Sequence, residues 1–294
     1  MSPCIALSSL LLSIFACSGE SIPDTSSLQS LTHDGLDRRY GMYFPPSYDG
    51  TSSMPLVINI HGGCMDAISQ MTEMNMRTLA DENDFILVYP EGAPEDGSED
   101  CLIWNSGPYG DNQDNKATAD DLGFLAILVD TLQDTYAIDP DKIYATGFSN
   151  GGFMTHALAC HQSETFAAIA PVAGMITTST DPNDEMSCQP TRPVPAIVFH
   201  GTQDYSVPIQ YGEDSVAYWR EFNNTTQSST TSIEDNELTI ERYSYTDGDL
   251  GSSVEYYKVI GGYHESFHRI DYEGSNSLAL IWDFFSRYDI NGAQ

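Results

Sequence analysis

Residues 142–161 read KIYATGFSNGGFMTHALACH. The stretch opens as an apolar strand, Ile143-Tyr144-Ala145-Thr146. It turns through Gly147-Phe148-Ser149-Asn150-Gly151 and continues as a helix from about Asn150 to Cys160. A G-x-S-x-G pattern is cheap in a chain rich in glycine and serine, and alone it can be a plain glycine-rich turn. Between a strand and a helix it has the form of a nucleophile elbow. The glycines keep side chains out of a cramped turn, and the serine takes strained backbone angles that aim its oxygen outward. The helix N-terminus behind it adds positive potential.

Outward from the elbow, strand-like and helix-like segments alternate, which predicts an α/β domain with a mostly parallel sheet. On the N-terminal side lie a short strand at Tyr40–Phe44, a continuous apolar run at Pro55–Ile60 that suits a buried parallel strand, a helix at Met71–Asn83 and a strand at Phe85–Tyr89. Residues 91–118 read as one long loop containing Trp104, and Ala119–Tyr136 as an amphipathic helix. Beyond the elbow come strands at Ala167–Ala173 and Ala196–Phe199, a helix near Gln210–Phe222, a strand pair at Leu238–Tyr245 and Val254–Val259, and a last helix at about Ser277–Arg287.

A serine hydroxyl is a poor nucleophile at neutral pH and needs a base. In an elbow protein the order along the chain is serine, acid, histidine. Of the histidines after Ser149, His156 and His161 lie on or just past the elbow helix and point away. His200 ends a strand just before the acid loop. His264 follows a strand and the Gly261-Gly262 pair, so it is the expected base. Asp204, in the loop after Ala196–Gly201, is the expected acid, with Asp214 second; it would hold the imidazole tautomer and stabilise its cation. The oxyanion of a tetrahedral intermediate needs backbone N–H donors. Asn150 supplies one, and the His61-Gly62-Gly63-Cys64 turn the other, with Gly63 preferred over Cys64. His264-Glu265-Ser266-Phe267-His268 also spells H-E-x-x-H, a zinc peptidase pattern when helical. The preceding glycines and strand argue against a helix there, so no metal or other cofactor is expected.

The chain has 294 residues, 43 of them acidic against 11 basic, for a formal net charge of -32. That surface repels phosphate backbones and anionic lipid, so nucleic acid is not an expected partner. The scattered acids read as a solubility device that tolerates salt. Ile5–Ala16 is apolar but shorter than the roughly 18 residues of a membrane span, as in an export signal covering residues 1–17. Ile14-Phe15-Ala16-Cys17 has the form of a lipoprotein box, with Cys17 carrying a lipid anchor; ordinary cleavage near Ser18 is the other reading. Ser-rich residues 18–34 read as a flexible tether, and 35–290 as a single catalytic domain. The expected location is therefore secreted, periplasmic or cell-surface. Apart from Cys4 and Cys17 in the signal, Cys64, Cys101, Cys160 and Cys188 remain, an even number that suggests two disulfides in an exported protein. Three pairings are open; Cys64–Cys101 with Cys160–Cys188 is favoured.

With those residues in view, the chain resembles the secreted α/β-hydrolases that include polyhydroxybutyrate depolymerases, feruloyl esterases and acetylxylan esterases. The resemblance runs over about residues 30–290. It is carried by DGLDRRYGMYFPPSYDG (34–50), PLVINIHGG (55–63), residues 119–160, FAAIAPVAG (166–174), FHGTQDYSVP (199–208) and GGYH (261–264). It implies an α/β-hydrolase fold and places nucleophile, acid and base at Ser149, Asp204 and His264, with a first oxyanion donor near Gly63. It also suggests that Trp104, in a Trp-Asn pair, walls the acyl or aromatic pocket. The sequence departs from the family pattern at Tyr263, where a third glycine is usual, and at Glu265-Ser266, where Trp-Pro is usual. Ester hydrolysis through an acyl-enzyme is the function implied. A feruloyl-type substrate on polysaccharide or a small aromatic ester leads. A polyester or an acetylated xylan is the alternative, and the zinc peptidase with His264 and His268 is the remote one.

Overall fold

The run Met54–Ile60 alternates its side chains between two apolar layers. Leu56, Ile58 and Ile60 enter one core cluster and Val57 the other, as a strand covered on both faces requires. The computed structural model describes residues 28–95, 98–107, 118–177 and 187–294. In chain order the elements are β1 (Gln29–His33), β2 (Leu36–Tyr43), β3 (Met54–Ile60), α1 (Ala67–Glu73), α2 (Arg77–Asn83), β4 (Ile86–Pro90), β5 (Ala93–Glu95), β6 (Ser98–Ile103), α3 (Asp121–Thr135), β7 (Ile138–Phe148), α4 (Asn150–His161), β8 (Ala168–Val172), β9 (Ala196–Gly201), α5 (Ile209–Phe222), β10 (Gln227–Asp235), β11 (Leu238–Thr246), β12 (Val254–Ile260) and α6 (Ser277–Phe285).

The main sheet runs β1-β2-β4-β3-β7-β8-β9-β12-β11-β10. Its centre, from β4 to β12, is parallel, and an antiparallel pair closes each side. Phe124, Leu125 and Leu128 of α3, Met154 and Leu158 of α4, and Trp219 of α5 pack on one face. Met71 of α1, Ala80 of α2 and Ile281, Phe284 and Phe285 of α6 pack on the other. Each fully buried Leu, Ile or Phe contributes about 1.5–3 kcal/mol. This is the expected α/β-hydrolase fold, a mostly parallel sheet between helical layers. Two disulfides, Cys64–Cys101 and Cys160–Cys188, join the favoured pairs.

Three boundaries need correction. The tether assigned to 18–34 overlaps β1, which pairs along its whole length with β2, so the domain reaches back at least to Leu28. At the other end Tyr288–Asp289 pairs with Gly292–Ala293, carrying the fold past 290. The helix assigned to Met71–Asn83 is two helices, because buried Asn59 takes the Met74 carbonyl (2.9 Å) and accepts from Gln70 (2.7 Å) at the break. The long loop also contains the hairpin β5–β6. The signal with Cys4 and Cys17, and the remainder of the assigned tether, lie outside the described residues. Among the described residues no helix is long and apolar enough to cross a membrane.

Candidate active site

Register brings the carboxyl ends of five parallel strands to one edge. Ile60 stands beside Gly147, Phe148 beside Val172, Val172 beside Phe199, and Gly201 beside Val259. The turns beyond these ends carry Gly63, Ser149, Asp204 and His264.

Ser149 adopts φ 54, ψ -119, a left-handed conformation that L-residues avoid. Its amide donates to the Val172 carbonyl at 2.9 Å and its carbonyl accepts from Phe153 at 3.0 Å, so the strain is held by the sheet and by the helix it starts. A methyl on Gly151 would run into the Ile60 and His61 carbonyls, and only glycine lets the helix come this close to β3.

His264 Nε2 lies 2.9 Å from Ser149 Oγ, and its Nδ1 lies 2.7 Å from Asp204 Oδ2. The other carboxylate oxygen of Asp204 accepts from the Ser206 and Val207 amides at 2.9 and 2.8 Å. Burial would raise the Asp204 carboxyl, but hydrogen bonds from His200, the Val207 amide and His264 outweigh it and hold it down to about 2. The acid and base loops are tied to each other: Thr202 donates to the Val259 carbonyl, Gln203 to the Gly262 carbonyl, and Gly261 to the Thr202 hydroxyl. Phe148 lies against the His264 ring, with centroids 4.9 Å apart.

Gly63 sits beside Asn150; a Cβ on it would stand 3.7 Å from the Asn150 Cβ. The Cys64 amide is already given to the Leu102 carbonyl at 2.8 Å, which leaves Gly63 as the candidate donor of that turn. Behind the turn, buried His61 accepts from the Gly92 amide at 2.9 Å, so its Nδ1–H donates to the Gly62 carbonyl at 2.7 Å. Burial, helped by the Arg38 charge, holds this imidazole down to about 4 and therefore neutral.

Trp104 is where the expectation fails. Its side chain is 0% exposed. The indole N–H donates to the His61 carbonyl at 3.0 Å, and its backbone exchanges hydrogen bonds of 2.7 and 3.2 Å with the Asn150 side chain. Trp104 is thus a strut under the two candidate donors and offers no face to a substrate. The H-E-x-x-H reading fails too: residues 264–268 are not helical, both His264 nitrogens are engaged by Ser149 and Asp204, and His268 Nδ1 faces Ser266 and Glu73. Asp214, the second candidate acid, is exposed on α5 and accepts from Gln210. His156 is buried under α5, accepts from the Trp219 indole at 3.0 Å and is pushed down to about 3 by burial and by His200. The contacts of His61, the Asn150 amide and His200 carried no sequence signal beyond adjacency to the motifs.

Residues 104–240, which hold Ser149 and Asp204 and stop short of His264, match the phospholipase/carboxylesterase family. The chain is 28% identical over 261 residues to a bifunctional acetylxylan esterase/xylanase of Neocallimastix patriciarum, covering 88% of this chain and 34% of that protein. It is 32% identical over 181 residues to feruloyl esterase B of Piromyces equi, covering 61% and 31%. It is 31% identical over 125 residues to poly(3-hydroxyalkanoate) depolymerase C of Paucimonas lemoignei, covering 42% and 28%. The chain therefore spans about a third of the length of these relatives. Among solved structures it is similar to an acetyl xylan esterase from Aspergillus awamori, at TM-score 0.63 and 17% identity over 88% of this chain and 99% of that one.

Proposed function

We propose that this chain, an α/β-hydrolase-fold relative of acetylxylan esterases, feruloyl esterases and poly(3-hydroxyalkanoate) depolymerases, is an exported serine carboxylic ester hydrolase acting on polysaccharide-linked or small aromatic esters. The observation that carries the reading is the unbroken hydrogen-bonded line Asp204–His264–Ser149 at a strained strand-to-helix turn.

In this reading His264 Nε2 takes the Ser149 proton as Oγ attacks the ester carbonyl. The Gly63 and Asn150 amides receive the oxyanion, each worth about 3–4 kcal/mol of transition-state stabilisation. His264 then gives its proton to the leaving alcohol, and an acyl-Ser149 ester remains. Water, deprotonated by the same imidazole, attacks that ester, releases the acid and returns the proton to Ser149. Asp204, fully ionised at neutral pH, keeps Nδ1 protonated and compensates the transient imidazolium. The two disulfides support an oxidising, extracytoplasmic location.

The test is ferulate release from methyl ferulate by purified protein, with Ser149→Ala as the blank. Release by the wild type alone supports both mechanism and acyl class. Equal release by the variant sinks the mechanism. Acetyl release from acetylated xylan is the second reading, favoured by the acetylxylan esterase relative that aligns with 88% of the chain; acetate but no ferulate would select it.

A further inference from the structure

Most large apolar side chains of the described residues are inside, and two that are not stand at the candidate active site. Tyr205 is 84% exposed and Tyr263 57%. Tyr205 directly follows Asp204 and Tyr263 directly precedes His264, the two residues joined by the 2.7 Å hydrogen bond. Their ring centroids are 6.5 Å apart, and the loops that carry them are tied by three hydrogen bonds. Among the described residues neither hydroxyl has a hydrogen-bond partner. The fold gains little from either ring, and two aromatic faces left in water at fixed separation need another reason.

The loops that carry them bear on which part of a substrate they serve. The leaving oxygen must come within hydrogen-bond reach of His264 Nε2 to take its proton, whereas the carbonyl oxygen turns to Gly63 and Asn150 on the other side of Ser149. Tyr205 and Tyr263 belong to the acid and base loops, whereas Gly63 belongs to the turn beyond β3 at another strand end, so the tyrosines are assigned to the leaving-alcohol side. A tyrosine ring offers a flat apolar face with a polar edge, which suits the C–H face and hydroxyl rim of a sugar. The charge of the chain narrows the sugar: a protein with 43 acidic and 11 basic residues repels uronates.

We propose that Tyr205 and Tyr263 form a stacking platform for a neutral sugar residue in the alcohol portion of the substrate. This rests on the esterase reading above, and the experiment separates the two. Binding of xylohexaose and of an oligogalacturonate to Ser149→Ala is measured by calorimetry, alone and combined with Tyr205→Ala or Tyr263→Ala. Hydrolysis of methyl ferulate and of a feruloylated xylo-oligosaccharide is followed in parallel on enzymes that retain Ser149.

The expected result is binding of xylohexaose, no binding of oligogalacturonate, and a roughly three- to tenfold weakening with each tyrosine lost, largely restored by Tyr205→Phe and Tyr263→Phe. The ratio of kcat/KM for the sugar ester to that for the methyl ester should fall by a similar factor, mainly through KM. The platform is overturned if xylohexaose does not bind, if it binds equally without the tyrosines, if the oligogalacturonate binds as well, or if both esters lose activity in equal proportion. Failure of the wild type on both esters counts against the esterase reading, and the calorimetry still decides the platform.

Discussion

His200 Nε2 lies 2.7 Å from the Val207 carbonyl oxygen and 3.5 Å from Asp204 Oδ2. Its N–H therefore points into the acid loop, behind the carboxylate that His264 engages from the front. A methyl on Gly212 of α5 would collide with the same imidazole, so the ring is wedged between helix and loop.

Replacing His200 by Phe keeps a ring in that wedge and removes the N–H. The Val207 carbonyl is left unpaired and one brace on Asp204 is lost. We expect kcat to fall about tenfold, the equivalent of one net hydrogen bond of roughly 1.4 kcal/mol. KM should change little, because the brace acts on the acid that orients the base and not on the substrate. Unchanged kcat would reduce His200 to a space-filler.

Trp104→Phe tests the strut. It removes the indole N–H from the buried His61 carbonyl, at a cost of about 1–3 kcal/mol in stability. Because that carbonyl belongs to the turn carrying Gly63, kcat should drop while KM for a small ester changes little. A rise in KM for aromatic esters with kcat intact would instead mean that the indole reaches the substrate.

The Cys64–Cys101 bridge closes a separation of 37 residues beside the Gly63 turn. Changing both cysteines to serine should destabilise the protein by about 3–4 kcal/mol and also slow turnover. The matching change at Cys160 and Cys188, a separation of 28, should cost similar stability and leave turnover at the same temperature nearly intact. Denaturant midpoints and kcat on both double variants decide this, and equal loss of kcat in the two would contradict it.

Acid should weaken the fold well before the carboxylates titrate. His61 and His156 are held to about 4 and about 3 against an ordinary 6.5. Unfolded, both take up protons below 6.5; folded, they stay neutral to their own lowered values. Their contribution is complete above 6.5 and is lost as pH falls toward 4 and then 3, at about 1.4 kcal/mol per pH unit for each histidine. Asp204, held to about 2 against 3.8, adds stability present above 3.8 and lost as pH falls through 2. Urea midpoints at pH 7.5, 6.0 and 5.0 read the first window; a flat response there would contradict the burial of the two imidazoles.

The parts of the fold legible in the sequence are those whose burial is written in composition. Leu56, Val57 and Ile58 could only be a strand covered on both faces, and the elbow declares itself by strand, glycine turn and helix. The edge strands were not legible. Gln227-Ser-Ser-Thr-Thr-Ser-Ile-Glu-Asp235 is almost wholly exposed, so β10 has no apolar alternation to betray it, and β1 is similarly polar. The break between α1 and α2 depends on Asn59, a polar residue inside an apolar strand whose partners lie on another element. For the candidate site, chain order picked out Ser149, Asp204 and His264, which the structure brings within hydrogen-bond reach of one another. Trp104 misled because an aromatic residue in a glycine-rich loop looks the same whether its ring faces a ligand or the back of a turn.

The stagger of these loops along the chain also has a consequence in time. Ser149 and Asp204 leave the ribosome well before His264, and His264 takes its place only when β12 has paired with β9 and the Gly262 carbonyl has met Gln203. A nascent chain holds an alcohol and a carboxylate with no base between them. On the proposed reading, a site built this way has no base until that pairing is made, so its reactivity waits on the completed sheet edge.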